Sequence, residues 1–501
     1  MAELQLQSQP PVDAAAPVKL IVGGMTLFLD ADGLKILEGR DSHDRRKSRF
    51  CGIQILPGTF STTIPYYNIL WASADSEKLV IEWAEEKSEG KLRHATLNYV
   101  PIRDSAAETE TFVASLRDRA YGQVPRNRRA RVLINPHAGP GGAARIWEND
   151  VRPIFEAARM TLDVTTTSRG GEGLEICEAL DIDAYDVVVI CSGDGLAYEA
   201  FNGLGRRADA RTALRKVAIA HIPCGSGNAM NLNLNGSSFP GTSAVAVVKG
   251  IRTPMDLMSV TQGDRRTLSF LSQSVGIIAE ADLATEHLRW MGAARFDWGV
   301  VSRIFTKKAY PCNIAVKVEI ENKDQVKAHY KWYRCGEGSQ KIEGSSVSSE
   351  DEGQGLPPLR FGTVNDELPA DWEVKSLPTL SNFYCGNMAW MAPKANFFPA
   401  ACINDGLMDM ITVDGNISTF QYVGLMTSLD GGPFFDNSAL SYRKVLAYRF
   451  TPVNQTEGYI SIDGEHVPFE PFQVEIHPGL GTVLSKSGKY EAYGPPNWET
   501  A

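Results

Sequence analysis

Asp194 is the residue whose type and setting most directly suggest chemistry. It lies in the loop Ser192-Gly193-Asp194-Gly195, after an apolar run and before a helical pattern. A carboxylate between glycines, next to a phosphate, is unfavourable unless it orients a substrate hydroxyl and takes its proton. The alternative is an aspartate that caps the helix beginning at Leu196. The spacing supports both interpretations equally.

Three glycine-rich loops, at residues 135–142, 192–195 and 223–228, each follow an apolar strand pattern and precede a helical pattern. A helix N-terminus offers unpaired N–H groups and a partial positive charge, and glycine lets the backbone approach a phosphate closely. None of the loops is a Walker A sequence, and no Gly-x-Gly-x-x-Gly follows the first strand. The loops predict a phosphate site, whereas the alternative is that their glycines only form tight turns.

Strand and helix patterns alternate around these loops. This alternation predicts a doubly wound parallel sheet with helices on both faces, whose strand ends would bring the loops together. The predicted strands cover residues 131–135, 162–166, 187–191 and 217–222, and the predicted helices cover 143–159, 173–180 and 196–204.

The regions on either side have a different character. Residues 1–17 have the composition of a disordered lead, and residues 18–125 predict a β-rich module. Residues 251–495 are strand-rich without regular helices and predict an antiparallel domain, with a flexible insertion around 336–358. In the first module strands are expected at 20–29, 51–56, 66–73, 78–84 and 94–100, a helix at 103–121, and a linker at 125–131.

The composition limits the classes of protein. A chain of 501 residues with 43% hydrophobic and 22% charged residues predicts two or three folded domains. The net charge of −10 argues against bulk binding of nucleic acid. Eight scattered cysteines without a CxxC pair are typical of a reduced, intracellular protein. No apolar run approaches the length of a spanning helix, so a soluble or peripheral protein is expected.

Several separate motifs together resemble the diacylglycerol-kinase-type catalytic domain. They are Asn135-Pro136 with Gly139 and Gly141, the Asp194 loop followed by Glu199 and Asn202-Gly203, and residues 223–229. The run at 281–296 is similar to the sphingosine kinase branch of this family. The resemblance covers roughly 130–320 and resumes at 404–406 and 461–465. The implied domains are a nucleotide-binding α/β lobe at 126–250 and a lipid-binding lobe at 251–495, and the module at 18–125 could resemble a pleckstrin homology domain.

The resemblance implies an enzyme that transfers the γ-phosphate of ATP, with Mg²⁺, to the primary hydroxyl of a sphingoid base. Asp194 would be the general base and would contact the substrate hydroxyl. Asp282 would pair with the substrate's ammonium group, although an N-cap of a following helix is the alternative. The expected nucleotide-binding residues are Asn135, His137, Thr167, Ser192, Gly193, Gly195, Glu199, Gly225, Ser226, Gly227, Asn228, Arg289, Arg295, Asp463 and Glu465.

The chain departs from the family pattern in its first loop. His137 stands where relatives often carry arginine, and Pro140 and Gly142 stand where they often carry lysine. Fewer positive charges there would leave more of the phosphate binding to backbone amides and to the two arginines, Arg289 and Arg295. Without the resemblance, both arginines would be interpreted as solvated surface charges.

Residues 288–308 mix aromatic and aliphatic residues with five cations. The mixture suits an interfacial segment or a lid over an acyl tunnel, and equally an amphipathic core helix. We therefore expect a cytoplasmic protein in peripheral contact with intracellular membranes, and the sequence leaves homodimer formation open. The alternatives are a diacylglycerol or ceramide kinase, a lipid-binding adaptor with an inactive kinase domain, and a soluble nucleotide kinase.

Overall fold

The computed structural model describes residues 18–22, 25–38, 61–75, 77–99, 106–283, 308–335, 354–429, 433–491 and 498. The chain divides into two compact units. The first consists of Met1–Glu85 with His94–Arg126, and the second of Glu86–Arg93 with Asn127–Ala501. Each unit is described by itself below.

The described residues of the first unit form two sheets, one α-helix and the short 3₁₀ helix Tyr66–Asn68. Buried and exposed side chains alternate along β1, with Leu20 and Val22 buried, so one face of the first sheet packs against the core. The first sheet has the order β1-β2-β3-β4 and the second β5-β6-β7. The elements are β1 (Val18–Val22), β2 (Met25–Leu29), β3 (Gly33–Glu38), β4 (Ser61–Pro65), β5 (Ile69–Ala74), β6 (Leu79–Ser88), β7 (Lys91–Tyr99) and α1 (Ala106–Tyr121).

The prediction of strands and a closing helix for this module holds in outline, but β3 and β4 were not predicted, and the short 3₁₀ helix Tyr66–Asn68 begins the expected strand at 66–73. The strand expected at 20–29 is two strands, β1 and β2, which pair antiparallel with Leu20 opposite Leu27. The strand expected at 51–56 lies outside the described residues. The likeness to a pleckstrin homology domain stays a prediction.

Four parallel strands form the centre of the α/β part of the second unit. They are β8 (Arg129–Ile134), β9 (Thr161–Thr166), β10 (Val187–Ser192) and β11 (Ala218–Pro223). Their order is β9-β8-β10-β11, and every adjacent pair is parallel. All six residues of β10 and of β11 are buried, as expected for central strands of a parallel sheet that is covered by helices.

The helices of this part follow the predicted pattern with small shifts. The helix expected at 143–159 contains a π-helical turn, Trp147–Val151, and ends before Arg159, whose positive φ of 59° stops it. The helices are α2 (Ala143–Ile146), α3 (Arg152–Ala157), α4 (Glu172–Glu178), α5 (Asp194–Arg206), α6 (Ala210–Lys216), α7 (Ala229–Asn235) and α8 (Pro240–Lys249).

The remainder of the second unit is rich in strands. The sheet neighbours within it are antiparallel. The strands are β12 (Ile251–Gln262), β13 (Arg265–Ser269), β14 (Ser272–Gly276), β15 (Cys312–Ile320), β16 (Glu373–Leu377), β17 (Leu380–Gly386), β18 (Trp390–Ala392), β19 (Ala395–Asn396), β20 (Met408–Asp414), β21 (Leu440–Pro452), β22 (Ile460–Ile462), β23 (Glu465–Val467) and β24 (Phe472–Ser485).

Strand β24 links the two parts. It pairs antiparallel with β12 and β21, and it also meets β11 in parallel at Ile219 opposite Val483. A chain segment near the C-terminus therefore completes the sheet that carries the glycine-rich loops. The mixed parallel sheet with helices and the β-rich remainder agree with the predicted α/β plus β fold class.

Two sequence expectations for the second unit are wrong. The strand-rich part contains helices, namely α9 (Ile277–Leu283), α10 (Lys323–Arg334) and α11 (Thr419–Thr427). In α10, Val326, Tyr330 and Tyr333 are buried at helical spacing, and the Asn322 side chain caps the N-terminus by accepting from the Gln325 amide.

The expected linker at 125–131 is also not a free linker. Arg128 is buried, and its guanidinium donates to the carbonyl oxygens of Val247 and Gly250 at 2.6 Å each. Residues from Arg129 onward belong to β8. Within the described part of the chain, none of the helices combines the length and hydropathy that crossing a membrane requires.

Candidate active site

The three glycine-rich loops lie at one edge of the parallel sheet. In the strand register Ser192 is opposite Pro223, and Cys191 is opposite Ile134. The carboxyl ends of β8, β10 and β11 are therefore level, and each strand leads into its loop there. This edge is where open α/β sheets bind ligands.

The loops touch through their backbones. A Cβ added to Gly193 would lie 2.8 Å from the Gly227 carbonyl oxygen, and one added to Gly225 would lie 2.4 Å from the Gly193 Cα atom. Gly139 has φ of +52°, and its added Cβ would meet the Cys224 carbonyl oxygen at 3.1 Å. Larger side chains at these positions would force the loops apart. Packing of the loops thus requires these glycines independently of any phosphate.

Asp194 is the first residue of α5, and its carboxylate binds a different helix. Oδ2 accepts from the Ala229 amide at 2.8 Å and Oδ1 from the Met230 amide at 3.0 Å. The alternative that Asp194 caps its own helix is therefore wrong, because it caps α7. The side chain is 11% exposed. A fixed, partly accessible carboxylate thus stands between the second and third loops, at the positive end of α7.

His221 is a neighbour of Asp194 that the sequence reasoning missed. It lies in β11, its ring is buried, and Nδ1 is 3.7 Å from Asp194 Oδ1. Nε2 is 3.0 Å from the Ser192 carbonyl oxygen. Burial lowers the pKa of His221, against the opposing charge of Asp194, so the ring is neutral. A polar residue within the apolar strand Ala218–Pro223 was the signal that could have found it.

The polar residues of the first and third loops shape the loops themselves. The Asn135 side chain accepts from the His137 amide at 3.0 Å, and His137 itself is exposed. The Asn228 side chain accepts from the Gly225 amide at 3.0 Å and donates to the Gly225 carbonyl at 2.8 Å. Ser226, which lies between Gly225 and Asn228 in sequence, is half-buried. Side-chain bonds of this kind leave the loop amides fixed in direction.

Thr167 and Glu199 lie at the same edge, near β9. Thr167 is buried, and its amide donates to the Ile134 carbonyl at 2.8 Å. The Glu199 carboxylate accepts from the amides of Gly171 and Gly173, each at 2.9 Å, and so caps the N-terminus of α4. Glu199 therefore has a structural contact whether or not it also meets a nucleotide.

Asp463 and Glu465 lie at the turn between β22 and β23, and their side chains have different surroundings. Asp463 is buried and accepts four hydrogen bonds, from the Ser269 hydroxyl and from three successive amides at residues 270–272. Burial raises the pKa of Asp463 to about 6, against these hydrogen bonds, which lower it. Glu465 is exposed, and its Oε1 would be 3.2 Å from a Cβ on Gly195. Of the two, Glu465 lies beside the Asp194 loop.

Three of the predicted site residues cannot be placed by their side chains. The backbone of Asp282 lies within α9, which begins at Ile277. Its side chain, together with Arg289 and Arg295, lies outside the described residues. Residues 288–307 of the expected interfacial segment also lie outside the described residues.

The described residues contain no group of three or more His, Cys, Asp or Glu side chains that could hold a metal ion by themselves. Mg²⁺ in phosphoryl-transfer sites keeps several waters and is held by substrate phosphates with one or two carboxylates. The exposed carboxylate of Glu465 beside Gly195 fits such a partial ligand set.

Two regions of the chain match known families of domains. Residues 129–260 match the diacylglycerol kinase catalytic domain, and residues 18–122 match a domain of unknown function, DUF7493. A solved diacylglycerol kinase structure from Bacillus anthracis aligns with a TM-score of 0.46 at 14% identity, covering 72% of this chain and 97% of that chain.

Two fungal proteins are more specific relatives. Sphingoid long chain base kinase 4 of Schizosaccharomyces pombe is 34% identical, with 87% of this chain and 90% of that protein covered. Sphingoid long chain base kinase 5 of Saccharomyces cerevisiae is 33% identical over 79% of this chain, which spans 64% of the length of that relative. The chain belongs to the sphingoid long-chain base kinase family, and the family predicted from its motifs is confirmed.

Proposed function

We propose that this protein transfers the γ-phosphate of ATP to the primary hydroxyl of a sphingoid base, such as sphingosine or dihydrosphingosine, giving the 1-phosphate. It would thus be a transferase of sphingolipid metabolism. The observation that carries the proposal is the position of Asp194, a carboxylate held between two glycine-rich loops at a sheet edge suited to phosphate. The names of the fungal relatives supply the substrate class.

Asp194 acts as the general base. Its two hydrogen bonds from α7 fix the carboxylate without protonating it, and each oxygen keeps a lone pair for a further partner. The substrate hydroxyl donates to one of these oxygens and loses its proton as the bond to phosphorus forms. Positioning and charge stabilisation supply most of the rate in such transfers.

ATP binds along the loop edge of the sheet. Backbone amides at the starts of α2 and α5 face its phosphates, because those at the start of α7 are bound to Asp194. The neighbouring side chains at Asn135, His137, Thr167, Ser192, Glu199, Ser226 and Asn228 line the pocket, with Gly193, Gly195, Gly225 and Gly227 leaving space for the phosphates. Arg289 and Arg295 supply positive charge, and Asp463 acts indirectly by fixing the turn that carries Glu465.

When bound together with ATP, Mg²⁺ would supply positive charge that offsets the charge of the phosphates. Glu465 is the carboxylate that would hold it beside Gly195.

Asp282 selects the substrate. A sphingoid base carries an ammonium group that a carboxylate binds, and diacylglycerol and ceramide lack this group. These two neutral lipids are the nearest alternative substrates. The protein acts in the cytoplasm at the surface of intracellular membranes, where residues 288–308 contact the bilayer. A homodimer is compatible with this arrangement.

Transfer of radiolabelled phosphate from ATP to sphingosine, dihydrosphingosine, ceramide and diacylglycerol tests the proposal. Labelling of the two sphingoid bases is expected. Labelling of only the neutral lipids would identify the alternative kinase. Labelling of none, with ATP still bound, would indicate a lipid-binding adaptor with an inactive kinase domain.

A further inference from the structure

The ring of His221 has a fixed tautomer. Nε2 lies 3.0 Å from the Ser192 carbonyl oxygen, which can only accept, so Nε2 carries a hydrogen and donates it. Because the buried ring is neutral, Nδ1 is then an unprotonated acceptor. The backbone of the loop that carries Asp194 therefore turns a basic nitrogen toward the Asp194 carboxylate.

This nitrogen has no hydrogen-bond partner among the described residues, although it is buried. It lies 3.7 Å from Asp194 Oδ1, beyond the usual range of about 2.7–3.2 Å. Two acceptors without a proton between them cannot form a hydrogen bond, which accounts for the gap. A buried acceptor left unpaired costs free energy, and its retention needs an explanation. A proton on either atom would convert the contact into a hydrogen bond.

The surroundings restrict what can act on the ring. Among the described residues, Asp194 is the charged group that affects the pKa of His221. On one side of β11, Ile190 of β10 is the residue paired with His221. On the other side, β24 pairs with β11 through Val483, which is opposite Ile219. Both flanking strands are therefore apolar there, and the ring responds to the protonation state of Asp194.

We infer that His221 is a positioning residue that acts through Asp194, by accepting a hydrogen bond from the proton that Asp194 takes from the substrate hydroxyl. The inference rests on the proposed function. The hydroxyl oxygen forms its bond to the γ-phosphorus while the bond from that phosphorus to the bridging oxygen of ADP breaks. The hydroxyl proton moves to the Asp194 carboxylate, where Oδ1 donates it in a hydrogen bond to His221 Nδ1, and it passes to water after product release.

His221→Gln separates this role from a structural one. The glutamine amide can still donate to the Ser192 carbonyl, but it has no basic nitrogen. We expect kcat to fall about tenfold or more while the KM for ATP is kept. A purely structural role would instead lower the folded fraction and leave the kcat of the folded protein unchanged. In an Asp194→Asn background, His221→Gln causes no further loss.

His221→Asn is the second variant, for use if the glutamine variant does not fold, and the same changes are expected of it. A wild-type kcat in a folded His221 variant, with Asp194→Asn inactive, would overturn the inference and leave the proposed function intact. If the wild-type protein labels no lipid, the proposed function fails first and the inference with it.

Discussion

The side chain of Asn202 forms two hydrogen bonds with the backbone of Leu268. Its amide nitrogen donates to the Leu268 carbonyl, and its carbonyl oxygen accepts from the Leu268 amide, both at 2.9 Å. Asn202 lies on α5 and Leu268 on β13. The helix that begins with Asp194 is thereby attached to the β-rich part of the second unit.

Asn202→Ala should destabilise the second unit by about 1–3 kcal/mol, because it leaves two buried backbone groups of Leu268 unpaired. Urea unfolding followed by tryptophan fluorescence measures this change. Asn365→Ala is the matched control, since Asn365 is exposed and donates one bond to the Gly263 carbonyl. Equal stability of the two variants would mean that the Asn202 contact contributes little.

Asp194→Asn should lower kcat by about 10²–10⁴, the usual contribution of a general base, while nucleotide affinity is largely kept. The asparagine oxygen can still accept from one of the α7 amides, so the fold should survive. Phosphate transfer to sphingosine measures turnover, and fluorescence titration measures ATP binding. Asp181→Asn, at an exposed position in the same part of the chain, is the control. Turnover close to wild type would remove Asp194 from the role of base.

Local sequence patterns were sufficient for the elements that present the loops. The apolar runs of β10 and β11 and the glycines that follow them are neighbours in sequence, so strand, loop and helix could be predicted together. The periodic residues of α10 carried the same kind of signal.

The contacts that determine the site could not be predicted in this way. Asp194 binds amides 35 and 36 residues away, and local pattern does not reveal which helix end a carboxylate will meet. The return of β24 to β11 joins Ile219 to Val483 across more than half the chain. His221 is a polar residue in an apolar strand and could have been noticed in the sequence. Its role, however, depends on the position of the Asp194 carboxylate, which the sequence does not reveal.

Asp282→Asn should reduce sphingosine turnover about 10- to 100-fold, which corresponds to the loss of a hydrogen bond between charged groups. A neutral lipid makes no such bond, so any turnover of diacylglycerol should hardly change. Measuring both lipids with one enzyme preparation provides the control for folding. A similar loss on both lipids would argue against a contact with the ammonium group.

Lys444 is a fully buried cation between two carboxylates. Nζ lies 2.9 Å from Asp405 Oδ2 and 3.0 Å from Asp409 Oδ2, and His329 Nε2 is 2.9 Å from Asp405. Burial lowers the pKa of Lys444, but the two carboxylates outweigh this effect and raise it. Burial likewise raises the pKa of Asp409, to about 6 even with Lys444 beside it.

Lys444→Met should destabilise the protein by about 3–5 kcal/mol, because it leaves buried carboxylates uncompensated. The shift in the urea midpoint measures the loss. Lys317→Met removes a lysine from an exposed pair with Asp371 and should change stability little. A small effect of Lys444→Met would show that Asp405 and Asp409 become neutral at no great cost.

His477 should make the stability of the second unit fall as the pH is lowered. Nε2 of this buried ring accepts from the Ser259 hydroxyl at 2.8 Å and faces the Arg266 guanidinium at 3.3 Å. Burial, together with Arg266 and Arg360, lowers the pKa of His477 to about 3, although Glu475 lies 3.7 Å away. Below about pH 6.5, His477 therefore binds a proton in the unfolded chain but stays unprotonated in the folded protein.

The linked loss of stability amounts to about 2 kcal/mol between pH 6.5 and pH 5, since each pH unit in this range contributes about 1.4 kcal/mol. His477→Gln keeps an acceptor for Ser259 and does not titrate, so its stability should decline less over the same interval. Urea midpoints of both proteins at pH 7 and pH 5 measure the difference, and carboxylates that titrate in this range contribute equally to both. Parallel declines in the two proteins would mean that His477 is protonated in the folded state.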